Sequence, residues 1–210
     1  MRINLNGSIV TMLTRTFDAI VVTVLFLICC LPVVTIGAAS SAMYATMIAL
    51  AGDSCSGVIR CFFDEFRRNF KQATLFFIPI VLVGAVVAVD IVVCWGYEME
   101  ATLILAIMQG LTVFCICLYT AMSIYIFSGI AVYNVTWKQA IANALYWCFK
   151  KLPATAGLVL LAVAMAASIV ILWYFAIPVI VLGLYLQGKL LLKVFGLEPE
   201  PLHHEEEIEY

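Results

Sequence analysis

Residues 19–50 read AIVVTVLFLICCLPVVTIGAASSAMYATMIAL, an almost unbroken run of apolar side chains. As one straight helix the run would extend about 48 Å, well beyond a hydrocarbon core of about 30 Å. Pro32 and Gly37 lie near its middle, where proline removes a backbone donor and glycine permits a tight reversal. The run therefore predicts two short helices, over about residues 18–33 and 37–51, joined as a hairpin.

The second of these helices is rich in small side chains, which in lipid let helix backbones approach one another closely. The small residues are Gly37, Ala38, Ala39, Ser40, Ser41, Ala42 and Ala45. We therefore expect this helix to face other helices of the protein.

The whole chain has the composition of an integral membrane protein. Of its 210 residues, 65% are hydrophobic and 11% are charged, and the mean hydropathy is +1.12. Soluble proteins carry about 25% charged residues. Further spans are predicted over about residues 73–95, 101–131, 153–172 and 175–194. The sequence thus predicts an all-α, polytopic transmembrane helical bundle of about six spans, formed by one membrane domain (residues 1–194) and followed by an acidic cytoplasmic tail (residues 195–210).

The eleven Lys and Arg residues all fall in segments that six crossings place on one side of the membrane. By the positive-inside rule that side is the cytoplasm, so both termini are predicted to be cytoplasmic. The alternative is five crossings, with residues 19–50 as one tilted or kinked helix. It places Arg2 and Arg15 outside, against the same rule. Because the bases lie in short juxtamembrane segments and the acids gather in the tail, nucleic acid is not a predicted partner.

Two segments between spans are amphipathic, which predicts cytoplasmic helices lying in the headgroup layer. Residues 58–71 place apolar, mostly aromatic side chains on one face, which we expect to sink into the acyl boundary. The second segment begins at Thr136, where Thr136 and Gln139 have capping-box spacing. Its predicted apolar face consists of Trp137, Ile141, Leu145 and Cys148.

The polar faces of these two segments are basic. Their candidate headgroup-binding or docking residues are Arg60, Arg67, Arg68, Lys71, Lys150 and Lys151. One interpretation is an interfacial elbow that binds membrane lipids, at about 1 kcal/mol per basic residue near an anionic surface. The functional alternative is a docking surface for the cytoplasmic domain of another protein.

Asp90 and Gln109 are the candidate intramembrane polar residues. A charge at the bilayer centre costs about 2.5–3.5 kcal/mol, so acids within spans are functional candidates. Asp90 is five residues from Trp95, however, which places it near the predicted outer interface. A structural or interfacial role is therefore favoured over an ion- or substrate-linked one. Gln109 is expected to hydrogen-bond between helices, as polar side chains within spans commonly do.

Catalytic and metal motifs are absent from the sequence. It contains no G-x-S-x-G, P-loop, H-E-x-x-H or dinucleotide fingerprint. The eight cysteines show no C-x-x-C spacing, and no structural disulfide is predicted. We therefore expect no enzyme, no catalytic residue, no bound metal and no cofactor.

Two motifs carry a resemblance to a known family. Residues 31–44 read LPVVTIGAASSAMY and residues 62–73 read FFDEFRRNFKQA. Together they resemble the YesL family of bacterial membrane proteins, whose pattern is roughly L-P-x-x-T-x-G-x-x-x-x-A-x-Y followed by F-F-x-x-F-x-x-N-F-x-Q-A. Thr23 and Phe26 depart from the Asn and Trp that members often carry on the first span.

The resemblance implies a bacterial plasma-membrane protein, often encoded beside carbohydrate ABC uptake systems, with no known reaction or ligand. In this sequence Pro32 is expected to open the break, Thr35 to bond the backbone that Pro32 frees, and Gly37 to let the chain turn. The favoured function is an accessory or regulatory partner of a carbohydrate ABC permease or sensor kinase. A small-solute permease and a purely structural scaffold are the alternatives.

Overall fold

The computed structural model describes residues 5–52, 54–55, 57–96, 103–133, 137–171 and 176–197. All regular structure within these ranges is helical, which confirms the predicted all-α bundle. The helices are α1 (Leu5–Cys29), α2 (Ile36–Ala51), α3 (Val58–Gly96), α4 (Leu103–Val132), α5 (Trp137–Lys150), α6 (Leu152–Ile171) and α7 (Ala176–Phe195).

The first apolar run is divided into two helices, as the sequence predicts. A 3-10 turn over Val33–Thr35 separates α1 from α2, and the two helices pack against each other. Pro32 precedes this turn in an extended conformation, with φ −80° and ψ 121°. The Thr35 hydroxyl lies 2.5 Å from the Cys29 carbonyl oxygen and 2.7 Å from that of Pro32. Its single proton is donated either to the Cys29 carbonyl, at the carboxyl end of α1, or to the Pro32 carbonyl, which also accepts from the Thr35 amide.

Gly37 does not form the turn. It lies inside α2, and its neighbour across the interface is α3. A Cβ atom at this position would lie 2.5 Å from the carbonyl oxygen of Ala73 and 2.8 Å from the Cβ of Phe77. Gly37 therefore permits close approach of two helices, and the reversal is made by residues 30–35. The prediction that Gly37 lets the chain turn is wrong.

Helix α2 packs against α1, α3, α4 and α7, which confirms the prediction of a protein-facing helix. Its contact with α7 is close, because a Cβ atom on Gly188 would lie 2.8 Å from the carbonyl oxygen of Met47. The buried residues of α2 are Gly37, Ala38, Ala39, Ser41, Ala42, Met43, Thr46, Met47, Ile48 and Leu50.

Helix α3 is continuous over 39 residues. The sequence predicts a separate interfacial helix over residues 58–71 and a span over 73–95, and this division is wrong. The junction, Lys71-Gln72-Ala73, consists of good helix formers, so nothing local ends the helix there. The aromatic face is also partly covered by protein, because Phe62 is fully buried in a cluster with Met47 and Leu50 of α2.

Helix α5 is a separate amphipathic helix, as predicted. The face that it buries against the bundle is not the predicted face of Ile141 and Leu145. Ala140, Ala144 and Cys148 are at most 5% exposed, whereas Ile141 and Leu145 are 38% and 40% exposed. Small alanine side chains let α5 approach α4 closely, so the larger apolar side chains point away from the bundle. Thr136 of the predicted capping box lies outside the described residues.

Five helical segments in the described part of the chain are long and apolar enough to cross a membrane. They are Val33–Ala51, Val58–Gly96, Leu103–Val132, Leu152–Ile169 and Ile177–Phe195. Helix α1 packs beside three of them, in α2, α3 and α7. The count of six crossings and the cytoplasmic placement of both termini stay predictions. Residues 198–210, most of the predicted tail, lie outside the described residues.

Candidate functional site

Asp90 and Gln109, the two candidate intramembrane residues, belong to one polar cluster between α3 and α4. The Thr112 hydroxyl lies 2.7 Å from Asp90 Oδ2 and joins the two helices. One turn along α3, the Cys94 sulfur lies 3.5 Å from the same hydroxyl and 3.8 Å from Asp90 Oδ1. Gln109 donates from Nε2 to the Cys94 carbonyl oxygen over 3.2 Å. Each helix thus supplies two members of this polar cluster.

The centre of the polar cluster is shielded from the surroundings. Thr112 and Cys94 are only 2% and 3% exposed, while Asp90 and Gln109 are half-buried. The Thr112 hydroxyl has a second acceptor in the Met108 carbonyl oxygen, 3.0 Å away on its own helix. Because a hydroxyl carries one proton, it donates to either the carboxylate or this carbonyl at a given moment.

The chemistry available to the polar cluster is hydrogen bonding between helices. It contains one carboxylate, whereas general acid and base catalysis with carboxyl groups uses two in distinct environments. Asp90 precedes the last residue of α3, Gly96, by six positions, or about 9 Å. A carboxylate at such a distance from a helix end costs less than one at the centre of a bilayer. These features fit the structural role that the sequence favours, which stays a prediction.

A second close contact joins the same two helices nearer their middles. Tyr119 of α4 donates from its hydroxyl to the Ile80 carbonyl oxygen of α3 over 3.2 Å. A Cβ atom on Gly84 would lie 2.6 Å from that hydroxyl oxygen. Gly84 therefore leaves the space that the phenol needs to reach the backbone of α3.

Two of the candidate basic residues bind the carboxyl ends of helices. Arg68 donates from Nη2 to the Ala131 carbonyl oxygen near the end of α4 over 2.9 Å, and its guanidinium also pairs with Glu65 at 2.6 Å. Lys151 donates from Nζ to the Val194 carbonyl oxygen near the end of α7 over 2.7 Å. A cation at a helix carboxyl end satisfies free carbonyls and complements the helix dipole.

The other four candidate basic residues are exposed. Arg60 pairs with Asp64 at 3.8 Å, and both side chains face solvent. Lys150 contacts the hydroxyl of Tyr146 and lies 4.7 Å from the centre of its ring. Arg67 and Lys71 lie on the same exposed side of α3 as Arg60. We call Arg60, Arg67 and Lys71 the basic stripe.

Sequence reasoning missed Thr112 and the capping roles of Arg68 and Lys151. A weak signal for Thr112 exists, because it follows Gln109 by three residues and so shares its helix face. No comparable signal exists for the capping residues, because each acceptor is a backbone carbonyl on a distant helix.

The cysteines are free thiols. Cys55, in the connection between α2 and α3, has a pKa lowered to about 6, chiefly because the Cys61 thiol hydrogen-bonds to it. Among the described residues, no three His, Cys, Asp or Glu side chains form a group that could hold a metal ion. His203 and His204 lie outside the described residues.

Comparison with known proteins matches part of the chain to a family model. Residues 19–91 match a family model described as "Protein of unknown function, DUF624". No curated protein and no solved structure matches the chain. The matched residues include both motifs, 31–44 and 62–73, and cover about a third of the chain. Over residues 19–91 the chain is thus similar to a family of unknown function, and its long apolar helices fit a membrane protein. The relationship to the YesL family stays a prediction.

Proposed function

We propose that this chain is an accessory or regulatory protein of the bacterial plasma membrane and not an enzyme. Its partner would be a carbohydrate ABC permease or a sensor kinase, as the resemblance of its motifs implies. The basic stripe on α3 is the surface at which that partner would dock.

The observation that carries this proposal is the way α3 holds the basic stripe. The opposite face of the helix is held against the bundle by burial of Phe62 and Asn69, and Asn69, which is 1% exposed, donates to Glu65 of the same helix over 3.2 Å. Arg60, Arg67 and Lys71 therefore lie on the face of α3 that the bundle leaves exposed. Basic side chains on a helix whose backbone is already ordered favour recognition of an acidic partner, since little backbone freedom is lost on binding.

Co-purification tests the docking role. The full-length protein would be extracted from its membrane in mild detergent, and recovered ABC permease or sensor kinase subunits would be identified by mass spectrometry. The variant Arg67→Gln/Lys71→Gln removes two charges from the basic stripe. The matched control, Lys138→Gln/Lys193→Gln, removes two exposed charges from α5 and α7.

We expect the stripe variant to lose the partner and the control to retain it. Recovery of the wild-type protein alone, under conditions that preserve such complexes, would contradict the docking role. Equal loss in both variants would assign the effect to overall charge.

A small-solute permease is the second candidate, favoured by the polar cluster and by the interrupted α1–α2 hairpin. Transporters use polar groups within the membrane and discontinuous helices to bind solutes. Purified protein in liposomes would be assayed for sugar or ion uptake with and without a gradient. Uptake that Asp90→Asn abolishes would support the permease, and no uptake under any gradient would remove it.

A further inference from the structure

A groove of about 740 Å³ lies between α1 and α7, and its lining includes no residue of the polar cluster or of the basic stripe. Its size falls within the range of about 300–1,000 Å³ that small-molecule sites occupy. The groove is lined by Arg15, Thr16, Ala19, Ile20, Ile177, Pro178, Val181, Leu182, Tyr185 and Lys189. Six of these ten residues are apolar, and two are cationic.

The two cations converge on one aromatic residue. Arg15 donates from Nη1 to the Tyr185 hydroxyl over 3.5 Å, and the Lys189 ammonium lies 4.9 Å from the centre of the Tyr185 ring. Both positive charges are therefore gathered at the part of the groove where Tyr185 lies. The aliphatic residues Ile177, Val181 and Leu182 come from the preceding part of α7.

The apolar part of the groove opens away from the protein. Ile20, Ile177 and Leu182 are 39%, 67% and 59% exposed. Ile177 and Leu182 lie on α7, one of the helices that could cross a membrane, and Ile20 lies on α1, which packs beside it. Hydrocarbon is the medium that such an opening meets in a bilayer. An acyl chain therefore has direct access to the groove from the side.

We propose that this groove binds one anionic phospholipid, with its phosphate between Arg15 and Lys189 and an acyl chain along Ile20, Ile177 and Leu182. Basic pockets between transmembrane helices bind anionic headgroups in this way. The charge separates this ligand from a zwitterionic lipid, because two cations at one end attract a net negative headgroup. The apolar walls favour a lipid over a soluble phosphate, because a soluble phosphate has no acyl chain to pack against them.

Photocrosslinking in a bilayer tests the proposal. The full-length protein would be placed in phosphatidylcholine nanodiscs with a small fraction of phosphatidylglycerol that carries a photoreactive group on its acyl chain. Crosslinked peptides would be mapped by mass spectrometry. We expect label on peptides that contain residues 15–20 and 177–189, and competition by unlabelled phosphatidylglycerol but not by phosphatidylcholine or glycerol 3-phosphate.

The variant Arg15→Gln/Lys189→Gln should lower crosslinking in the groove by roughly fivefold for each charge removed, while Lys138→Gln/Lys193→Gln should leave it unchanged. Leu182→Trp, which fills the exposed part of the groove, should lower crosslinking and leave helicity and thermal stability in detergent intact. Label spread evenly over the exposed faces of all helices would overturn the proposal. Equal competition by phosphatidylcholine would overturn the anionic preference, and competition by glycerol 3-phosphate would overturn the lipid as ligand.

Discussion

The hydroxyl of Thr112 lies 2.7 Å from a carboxylate oxygen of Asp90 and connects α4 to α3 through side chains 22 positions apart. The half-buried carboxylate of Asp90 therefore has a hydrogen-bond donor, the Thr112 hydroxyl, on the neighbouring helix. The same two helices also meet at Tyr119 and Gly84 and at Arg68 and Ala131, so the polar cluster is one of several contacts along this pair.

Replacing Thr112 by Val should weaken the α3–α4 contact. The substitution keeps the shape of the side chain and removes its donor, so the expected loss of unfolding free energy is about 0.6 kcal/mol, with about 1.7 kcal/mol as the upper end for such bonds. Unfolding in detergent micelles with increasing SDS measures it. Thr120→Val is the control, because the Thr120 hydroxyl bonds the Ile116 carbonyl of its own helix over 2.8 Å. Equal losses in the two variants would deny the interhelical bond any special role.

Gly37→Ala should be destabilising although alanine favours helices. The added Cβ would lie 2.5 Å from the Ala73 carbonyl oxygen, a backbone atom that has little freedom to move. Overpacking of this kind costs about 1–3 kcal/mol. Gly129→Ala is the matched control, since a Cβ there meets nothing within 4 Å, and it should be neutral or stabilising by up to about 1 kcal/mol. The prediction fails if thermal unfolding in detergent gives both variants the same midpoint.

Lys151→Met should loosen the carboxyl end of α7. The ammonium group donates to the Val194 and Lys193 carbonyl oxygens over 2.7 and 3.1 Å, and methionine retains only the apolar stem. The expected loss of stability is about 0.3–1 kcal/mol, the usual contribution of a cation at a helix carboxyl end. Hydrogen exchange should accelerate at backbone amides of residues 191–197. Lys150→Met, which removes an ammonium held by Tyr146, should leave those amides unchanged.

Cys55 should be alkylated at a lower pH than an ordinary thiol. Its pKa is lowered to about 6, first by the hydrogen bond from Cys61 and further by the backbone of Gly57. The thiolate is the reactive form, so the rate of reaction with iodoacetamide should be near its plateau at pH 7 and fall as the pH drops through about 6. Cys61→Ala removes the donor and should move the midpoint upward toward the ordinary value of 9.0. An unchanged midpoint in that variant would exclude Cys61 as the cause.

Some of the helix boundaries could be predicted because their causes are local. Pro32 interrupts the first run through its missing amide, and the interruption does fall there. The continuity of α3 is not predicted, because the change in its hydrophobic pattern near residue 72 is interpreted as a helix boundary. A change from amphipathic to uniformly apolar sequence marks a change of surroundings, whereas a helix ends only where capping or a helix breaker ends it.

The sequence by itself determined the class of protein, the helical content and the position of the first break, because hydrophobicity, helix propensity and proline act through the residues that carry them. The tertiary structure alone decided that Gly37 serves packing and that Arg68 caps α4 through the Ala131 carbonyl, 63 positions away. It also decided that Thr112 is the partner of Asp90. Periodicity tells which residues share a helix face, but the partner of a face depends on how whole helices pack. That packing brings together side chains and carbonyl groups whose separation along the chain carries no signal.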